Sequence, residues 1–137
     1  MTTTPIRLLG IGGSSRAHSV TTNVLTDVLG IARDIGVATD LASVHDLDLP
    51  VYNEDIPFEE QPAALRDLLE RVRQADAFLV ASPTYHSSIA GGIKNVLDAL
   101  HIRHGADRTY FDGRPVGLIA YGIYEFTRAR YRRIDVG

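Results

Sequence analysis

The sequence predicts an α/β fold in which a parallel sheet carries helices on both faces, giving three layers. Short apolar runs alternate along the chain with longer segments of helical periodicity, and the links between them are short. The run 77–82 has no alternation of apolar and polar residues, which is typical of a strand buried on both faces. Repeated β-α units of this kind imply parallel strands joined by right-handed crossovers.

The first unit is predicted to be a strand at residues 6–11, a glycine-rich loop and a helix. Ser19 is suited to cap that helix and Gly36 is placed to end it. In the loop, the glycines permit close backbone approach, while the Arg16 guanidinium, the serine hydroxyls and the free helix amides favour a bound anion. A phosphate site is the functional interpretation. For this loop alone, an ordinary turn with polar residues facing water is an equal alternative.

Better-known glycine motifs do not fit this loop. A dinucleotide fingerprint starting at Gly10 needs glycine where Ser15 stands, and a P-loop needs Gly-Lys-Ser/Thr although the only lysine is Lys94. A nucleophile elbow starting at Gly12 needs glycine where Arg16 stands. A cradle for a single phosphate is the remaining hypothesis.

The segments on either side of the central unit follow the same alternation. A second strand is predicted at 37–44, and the stretch 46–55 is too irregular for a helix or a strand, so it is expected to be a covering loop. Pro62 is well placed as the first residue of a helix with one apolar face. A fourth strand is predicted at 115–121.

The segment after the third strand is predicted to bind a ligand. Pro83 cannot donate to a sheet ladder, so the strand is expected to end at Ser82. The residues 84–86 would then be exposed at the carboxyl end of a central strand, and a helix starting at Ile89 would follow. With the strand order 2-1-3-4, the loops after the first and third strands meet at one crevice, where open α/β sheets bind ligands.

Composition excludes several classes of protein. The chain has no cysteine, which removes disulfides, thiol nucleophiles and zinc-thiolate sites. No apolar run approaches the roughly 20 residues of a membrane span, and the start Met-Thr-Thr-Thr-Pro lacks the layout of a signal peptide. The net charge of -3 argues against a nucleic-acid partner. A cytoplasmic protein without a membrane or nucleic-acid partner is therefore expected.

Three motifs in this chain together resemble the NADPH-dependent FMN reductases, a family of flavodoxin-like fold that includes small quinone and azo-dye reductases. The resemblance covers about the first 120 residues. The motifs are Gly13-Ser14-Ser15-Arg16 with Ser19; Leu-Pro-Val-Tyr-Asn-Glu-Asp at 49–55; and Ala-Ser-Pro-Thr-Tyr-His at 81–86, followed by Gly91, Lys94, Asn95 and Asp98.

The resemblance implies a site for each part of FMN. Many relatives have asparagine in place of Thr21 and His86, so hydrogen bonds to the phosphate and to the ring edge are expected to differ here. Of the glycine-rich turn that closes over the flavin in relatives, only Gly122 remains. The phosphate would be held by Ser14, Arg16, Ser19, Val20 and Thr21, and the isoalloxazine ring would be lined by Pro83, Thr84, Tyr85 and His86.

The implied activity is that of a reductase in which NADPH or NADH reduces FMN, which passes electrons to a small-molecule acceptor or a partner monooxygenase. No catalytic acid-base pair is then required, because the cofactor carries the chemistry. A homodimer or homotetramer is the usual assembly of the family. Two alternatives are a degenerate flavodoxin-like module that serves in assembly, and a one-electron carrier that binds flavin without oxidising nicotinamide efficiently.

The end of the chain departs from the family. Relatives continue with a fifth strand, whereas no comparable strand follows Gly122, and residues 123–137 are an atypical arginine-rich tail after a domain at 1–122. The fourth strand would then be an edge with unpaired backbone groups, which a homo-oligomer would cover. A truncated chain is the other explanation. The weaker candidates are a metal set of Asp98, His101 and His104, and a contact of RNA or lipid with Arg128, Arg130, Arg132 and Arg133; ordinary exposure is favoured for both.

Overall fold

A computed structural model describes residues 4–102 and 111–122, and in it a parallel sheet forms the centre of the molecule. Its strands β1 (Arg7–Gly12), β2 (Ala38–Ser43), β3 (Ala77–Tyr85) and β5 (Val116–Tyr121) lie in the order β2-β1-β3-β5. All three pairings are parallel. The predicted order 2-1-3-4 is therefore confirmed, with β5 as the fourth parallel strand.

Helices cover both faces of this sheet. Helix α1 (Val20–Asp34) packs Leu25 and Leu29 against Ala81 of β3 on one face. Helices α3 (Ala63–Gln74) and α4 (Gly91–Ala99) contribute to the core on the other face, which surrounds Phe78. The predicted three-layer arrangement is confirmed, because consecutive side chains of β3 point into the two opposite cores. No helix in the described ranges is both long and apolar enough to cross a membrane.

Helix α1 begins and ends where the sequence predicts. The Ser19 side chain accepts a hydrogen bond from the Thr22 amide, which satisfies one of the free donors of the first turn. Gly36 has a φ of 93°, which an L-residue rarely adopts, and it follows the C-cap residue Ile35. Both signals are local, so the sequence alone could supply them.

The predicted end of the third strand is wrong. Strand β3 continues through Pro83 to Tyr85, and Pro83 pairs with Tyr121 of β5. Pairing with β1 ends at Ala81, so Pro83 has a neighbouring strand on one side only. Proline is tolerated there because its missing N–H costs no ladder bond on a side that has no partner.

The predicted start of the next helix is also wrong. Ile89 lies in a two-residue strand, β4 (Ser88–Ile89), which pairs with the end of β3 in a tight hairpin. Helix α4 begins at Gly91, and the Ala90 amide preceding it donates to the buried Ser82 hydroxyl at 2.9 Å. Ile89 is 45% exposed instead of joining the apolar stripe of the helix. A long-range backbone pairing has overridden the helical spacing.

The stretch 46–55, predicted as a covering loop, overlaps the end of a short helix. Ser43 caps this helix, α2 (Val44–Leu47), by accepting from the Asp46 amide, and Leu47 is buried. The remainder of the loop lies along α4, where the Asn95 side chain accepts from the Tyr52 amide and donates to the Pro50 carbonyl, each at 2.8 Å. A further single turn of 3₁₀ helix spans Phe58–Glu60.

Strand β5 is exposed in the part of the chain that the structure describes. It pairs with β3 on one side, and Leu118 on it is 79% exposed. Its amino end is fixed by Arg114, which is buried, donates to the Val72 and Ala75 carbonyls at the end of α3 and lies over the Phe78 ring. The predicted absence of a fifth strand, the tail arginines and the division at residue 122 concern 123–137, outside the described residues, and stay predictions.

An ion pair joins β2 to α3, and we expect it to make the free energy of unfolding vary with pH in the acid range. The Arg71 guanidinium donates to both carboxylate oxygens of Asp40, at 2.7 and 2.9 Å, and these hydrogen bonds hold the pKa of Asp40 below its ordinary value of 3.8. The contribution is therefore complete above about pH 4 and is lost as the pH falls through the lowered pKa. Because the Asp40 side chain is 52% exposed, the pair should contribute about 1 kcal/mol or less.

The measurement is urea unfolding of the wild type and Asp40→Asn between pH 7 and pH 2. The variant should be less stable at pH 7 by that amount, and the two stability curves should converge at the acid end. Parallel curves would show that this pair is not responsible.

Candidate functional site

A cavity of about 450 Å³ opens at the carboxyl edge of the sheet. It lies where the loop after β1 meets the end of β3, as the strand order predicts. All ten residues proposed from the sequence line it: Ser14, Arg16, Ser19, Val20, Thr21, Pro83, Thr84, Tyr85, His86 and Gly122. Two further lining residues, His18 and Tyr121, were missed by the sequence analysis.

The loop after β1 is shaped by its glycines. The Gly13 amide donates to the Ala81 carbonyl at 3.1 Å, and Gly13 has a φ of 93°. A Cβ on Gly13 would lie 2.1 Å from the Thr22 hydroxyl oxygen, and a Cβ on Gly12 would lie 2.5 Å from the Ala81 carbonyl oxygen. The loop therefore folds tightly onto both β3 and α1, in a form that larger residues cannot adopt.

The start of α1 presents polar groups to the cavity. Ser14, Ser19 and Thr21 are buried, with exposed fractions of 6%, 7% and 1%. Among the residues that the structure describes, no acceptor lies in hydrogen-bonding position for the backbone amides of Val20 and Thr21. Free amides at a helix start carry a partial positive charge, so this end of the cavity is suited to an anion.

The other side of the cavity is formed by the end of β3 and by β5. The Thr84 hydroxyl donates to the Tyr121 carbonyl at 2.9 Å, which joins the two strand ends. Pro83 is buried, whereas the Tyr85 and Tyr121 side chains are 51% and 44% exposed. Apolar and aromatic surface is thus available at this side for a flat ring, while the helix-start amides and buried hydroxyls lie at the other.

The hairpin between β3 and β4 has an unusual turn. Tyr85 pairs with Ser88, and the two residues between them, His86 and Ser87, have φ values of 51° and 63°. Two consecutive positive φ values define a type I′ turn, which favours Asn-Gly. Neither residue here is glycine, so the turn at the cavity is strained by about 1 kcal/mol or more per residue.

We expect that strain to be measurable at Ser87. Ser87→Gly should be more stable than Ser87→Ala by about 1 kcal/mol, because both lose the hydroxyl and only glycine adopts the positive φ without cost. Thermal and urea unfolding of the two variants is the measurement. Equal stabilities would mean that the turn relaxes to another conformation.

The ionisable side chains that line the cavity carry positive charge or none. They are Arg16, His18 and His86, together with the two tyrosines at its apolar side, and no carboxylate is among the lining residues that the structure describes. This contrasts with the net charge of -3 for the whole chain. The cavity is therefore locally suited to a negatively charged ligand.

The two missed residues have signals in the sequence. His18 lies between Arg16 and Ser19, inside the loop that the motif already defines. Tyr121 is the last residue of β5, and the carboxyl ends of parallel strands meet at one edge of the sheet.

The proposed metal set receives no support from the described residues. Asp98 pairs with Lys94, and no group of three or more potential metal-binding side chains is found in the described part of the chain. His104 lies outside the described residues, so its part in that set stays untested.

The fold and the cavity define a flavodoxin-like α/β protein with a glycine-rich loop and a tyrosine-lined cleft at one sheet edge. The family model of the NADPH-dependent FMN reductases matches residues 6–134 of this sequence, and the chain belongs to that family. The resemblance inferred from the three motifs is thereby confirmed.

Individual relatives agree with this assignment. The chain is 33% identical over 125 residues to an NAD(P)H-dependent FMN reductase from Pseudomonas aeruginosa, covering 91% of this chain and 64% of that protein. It is 43% identical over 54 residues to a quinone reductase from Escherichia coli, covering 39% of this chain and 29% of that protein. FerB, a flavoenzyme NAD(P)H:(acceptor) oxidoreductase from Paracoccus denitrificans, has a TM-score of 0.68 at 26% identity, covering 84% of this chain and 60% of that chain. The chain thus spans less than two thirds of the length of each.

Proposed function

We propose that this chain binds FMN and acts as an NAD(P)H-dependent reductase that passes electrons to a second acceptor. The observation that carries the proposal is that all ten residues assigned to FMN from the motifs line one cavity without a carboxylate. Family membership and the activities named for the relatives support it. A small molecule such as a quinone, a free flavin or an azo compound is the proposed acceptor, with a partner monooxygenase as a further candidate.

The phosphate of FMN would lie in the loop after β1. The fit rests on the loop's own geometry, since Gly13 lets the loop pack closely against Thr22 at the start of α1, and no hydrogen bond of the described residues has the Val20 or Thr21 amide as its donor. Arg16 would add a charge-assisted hydrogen bond, and the buried hydroxyls of Ser14 and Ser19 would orient the group.

The isoalloxazine ring would lie along the end of β3. Pro83 and Tyr85 offer apolar surface there, and Thr84 fixes the position of β5 opposite through its hydrogen bond to Tyr121. His86 and Gly122 would border the ring, with His86 fixed by the hairpin turn. Bound FMN supplies hydride acceptance and electron donation, so the protein's part is to hold the ring and leave a path for nicotinamide.

The direct test is a visible absorption titration of the purified chain with FMN, followed by assays of NADPH and NADH oxidation with a quinone as acceptor. A perturbed flavin spectrum together with oxidation of either nicotinamide is expected. Flavin binding without nicotinamide oxidation would favour the one-electron carrier. Absence of flavin binding would favour the degenerate assembly module and overturn the proposal.

We further propose that the chain forms a homo-oligomer through the exposed side of β5. The support is that Leu118 is 79% exposed on a strand paired on one side within the described residues. The cytoplasmic location inferred from composition stays part of this proposal.

Leu118→Lys is expected to lower the apparent mass toward that of one 15.0 kDa chain and to leave FMN affinity unchanged, because Leu118 does not line the cavity. Light scattering and flavin titration measure the two quantities. Ile31→Lys, at a residue 65% exposed on α1, is the matched control. A wild type that is monomeric, or an equal effect of both variants, would contradict the role of β5.

A further inference from the structure

Helix α2 touches the phosphate-loop half of the site from outside the cavity. The His45 ring nitrogen Nδ1 lies 2.9 Å from the Ser15 carbonyl oxygen, across 30 positions of sequence. A carbonyl oxygen can only accept, so Nδ1 carries the proton and donates it. His45 does not line the cavity, so its hydrogen bond to Ser15 is the direct route by which it can act on a ligand there.

The His45 hydrogen bond is made to a peptide unit whose N–H group is already hydrogen-bonded. The Ser15 carbonyl and the Arg16 amide belong to the same planar peptide, and the Arg16 amide donates to the Ser14 hydroxyl at 3.3 Å. With its carbonyl bonded to His45 and its amide bonded to Ser14, this plane cannot rotate without breaking one of the two bonds. Its orientation sets where the chain carries the Arg16 side chain.

The same short helix also contacts α4, the helix that follows the end of β3. Val44 packs closely against Gly92 in the first turn of α4, where a Cβ on Gly92 would lie 2.8 Å from the Val44 methyl Cγ1. The residue preceding α4, Ala90, is bonded through its amide to Ser82 of β3. Helix α2 is thus in contact with the loop after β1 and with α4, the helix that follows the end of β3.

We propose that α2 is a clamp between these two segments and that His45 is a positioning residue for phosphate recognition. This inference rests on the proposed binding of FMN. The His45 hydrogen bond holds the peptide between Ser15 and Arg16 on the side away from the cavity, and the contact of Val44 with Gly92 holds α2 against α4. The ligand phosphate would meet a loop whose arginine is already oriented, so less ordering is needed on binding.

The first test compares His45→Ala with His45→Asn in titrations with FMN and with riboflavin, which lacks the phosphate. Loss of one hydrogen bond to the loop should weaken FMN by about 3- to 10-fold and riboflavin by less than about 2-fold. Asparagine places an N–H donor near the position of Nδ1, so it should restore most of the FMN affinity. A structural role without positioning would change both ligands equally.

The second test perturbs the contact between Val44 of α2 and Gly92 of α4. Gly92→Ala should displace Val44 and weaken FMN more than riboflavin, whereas Gly91→Ala adds a Cβ that meets nothing within 4 Å and should leave both affinities unchanged. Both variants replace glycine by alanine in the first turn of α4, so the contact with Val44 is the main difference between them. In a His45→Ala background, Gly92→Ala should have little further effect on FMN.

The outcomes separate this inference from the proposed function. A wild type that fails to bind FMN would overturn both. A wild type that binds FMN, with His45→Ala and Gly92→Ala each within about 2-fold of it, would overturn the clamp alone. Full additivity of the two variants would overturn the coupling through α2.

Discussion

Gly13→Ala is expected to abolish measurable FMN binding and to destabilise the fold by about 2–5 kcal/mol. Gly13 has a φ of 93°, so any L-residue there is strained. In addition, the new Cβ would fall 2.1 Å from the Thr22 hydroxyl oxygen, which forces the loop or the start of α1 to move. The proposed phosphate site consists of the loop after β1 and the free amides at the start of α1. Because the displacement moves both of them, the phosphate would lose the donors of the loop and those of the helix.

Gly36→Ala is the matched control for this variant. Gly36 has the same φ of 93°, and a Cβ there meets nothing within 4 Å. It should therefore show the backbone cost alone, about 1–2 kcal/mol, with FMN affinity unchanged. Urea unfolding and flavin titration measure both variants. If Gly13→Ala retained wild-type FMN affinity, the loop after β1 would not be the phosphate site.

Arg16→Ala is expected to weaken FMN by about 10- to 150-fold and to leave riboflavin nearly unaffected. A charge-assisted hydrogen bond contributes about 1.5–3 kcal/mol, and it is lost only for the ligand that has a phosphate. The Arg16 side chain is exposed, so the fold should keep its stability. Titrations of both ligands at constant ionic strength measure the difference.

Arg66→Ala provides the control for the loss of one positive charge. Arg66 is exposed on α3 and does not line the cavity, so its replacement should change neither affinity beyond a small salt-dependent effect. Equal weakening of FMN and riboflavin by Arg16→Ala would place Arg16 away from the phosphate and would contradict the assignment.

The site could be predicted from the sequence because its parts are short motifs at the ends of strands. The glycine loop follows β1, and the Pro-Thr-Tyr-His segment belongs to the end of β3. Once the alternation of elements gives a parallel sheet, the connection rules bring these two strand ends to one edge. The positions of the two segments follow from local sequence and a general rule, whereas the ten individual residues follow from the family resemblance, and all ten line the same cavity.

The hairpin at the ring side could not be predicted in the same way. Helical spacing assigns Ile89 to the following helix, and Pro83 signals the end of a strand. In the structure, pairing with β5 on one side and β4 at the tip carries β3 to Tyr85. Backbone pairing with distant strands outweighs these local signals, because each pairing adds hydrogen bonds that the periodicity of one segment does not reveal.

By itself the sequence determined the class of fold, the strand order, the capped first helix and the two loops that form the cavity. These depend on properties that a residue carries within its own segment, such as apolar period, a capping hydroxyl or freedom of φ. Only the tertiary structure decided that β3 passes through Pro83, that His86 and Ser87 occupy a strained turn, and that His45 bonds to Ser15. These depend on which distant groups meet, and that is fixed only when the layers pack together.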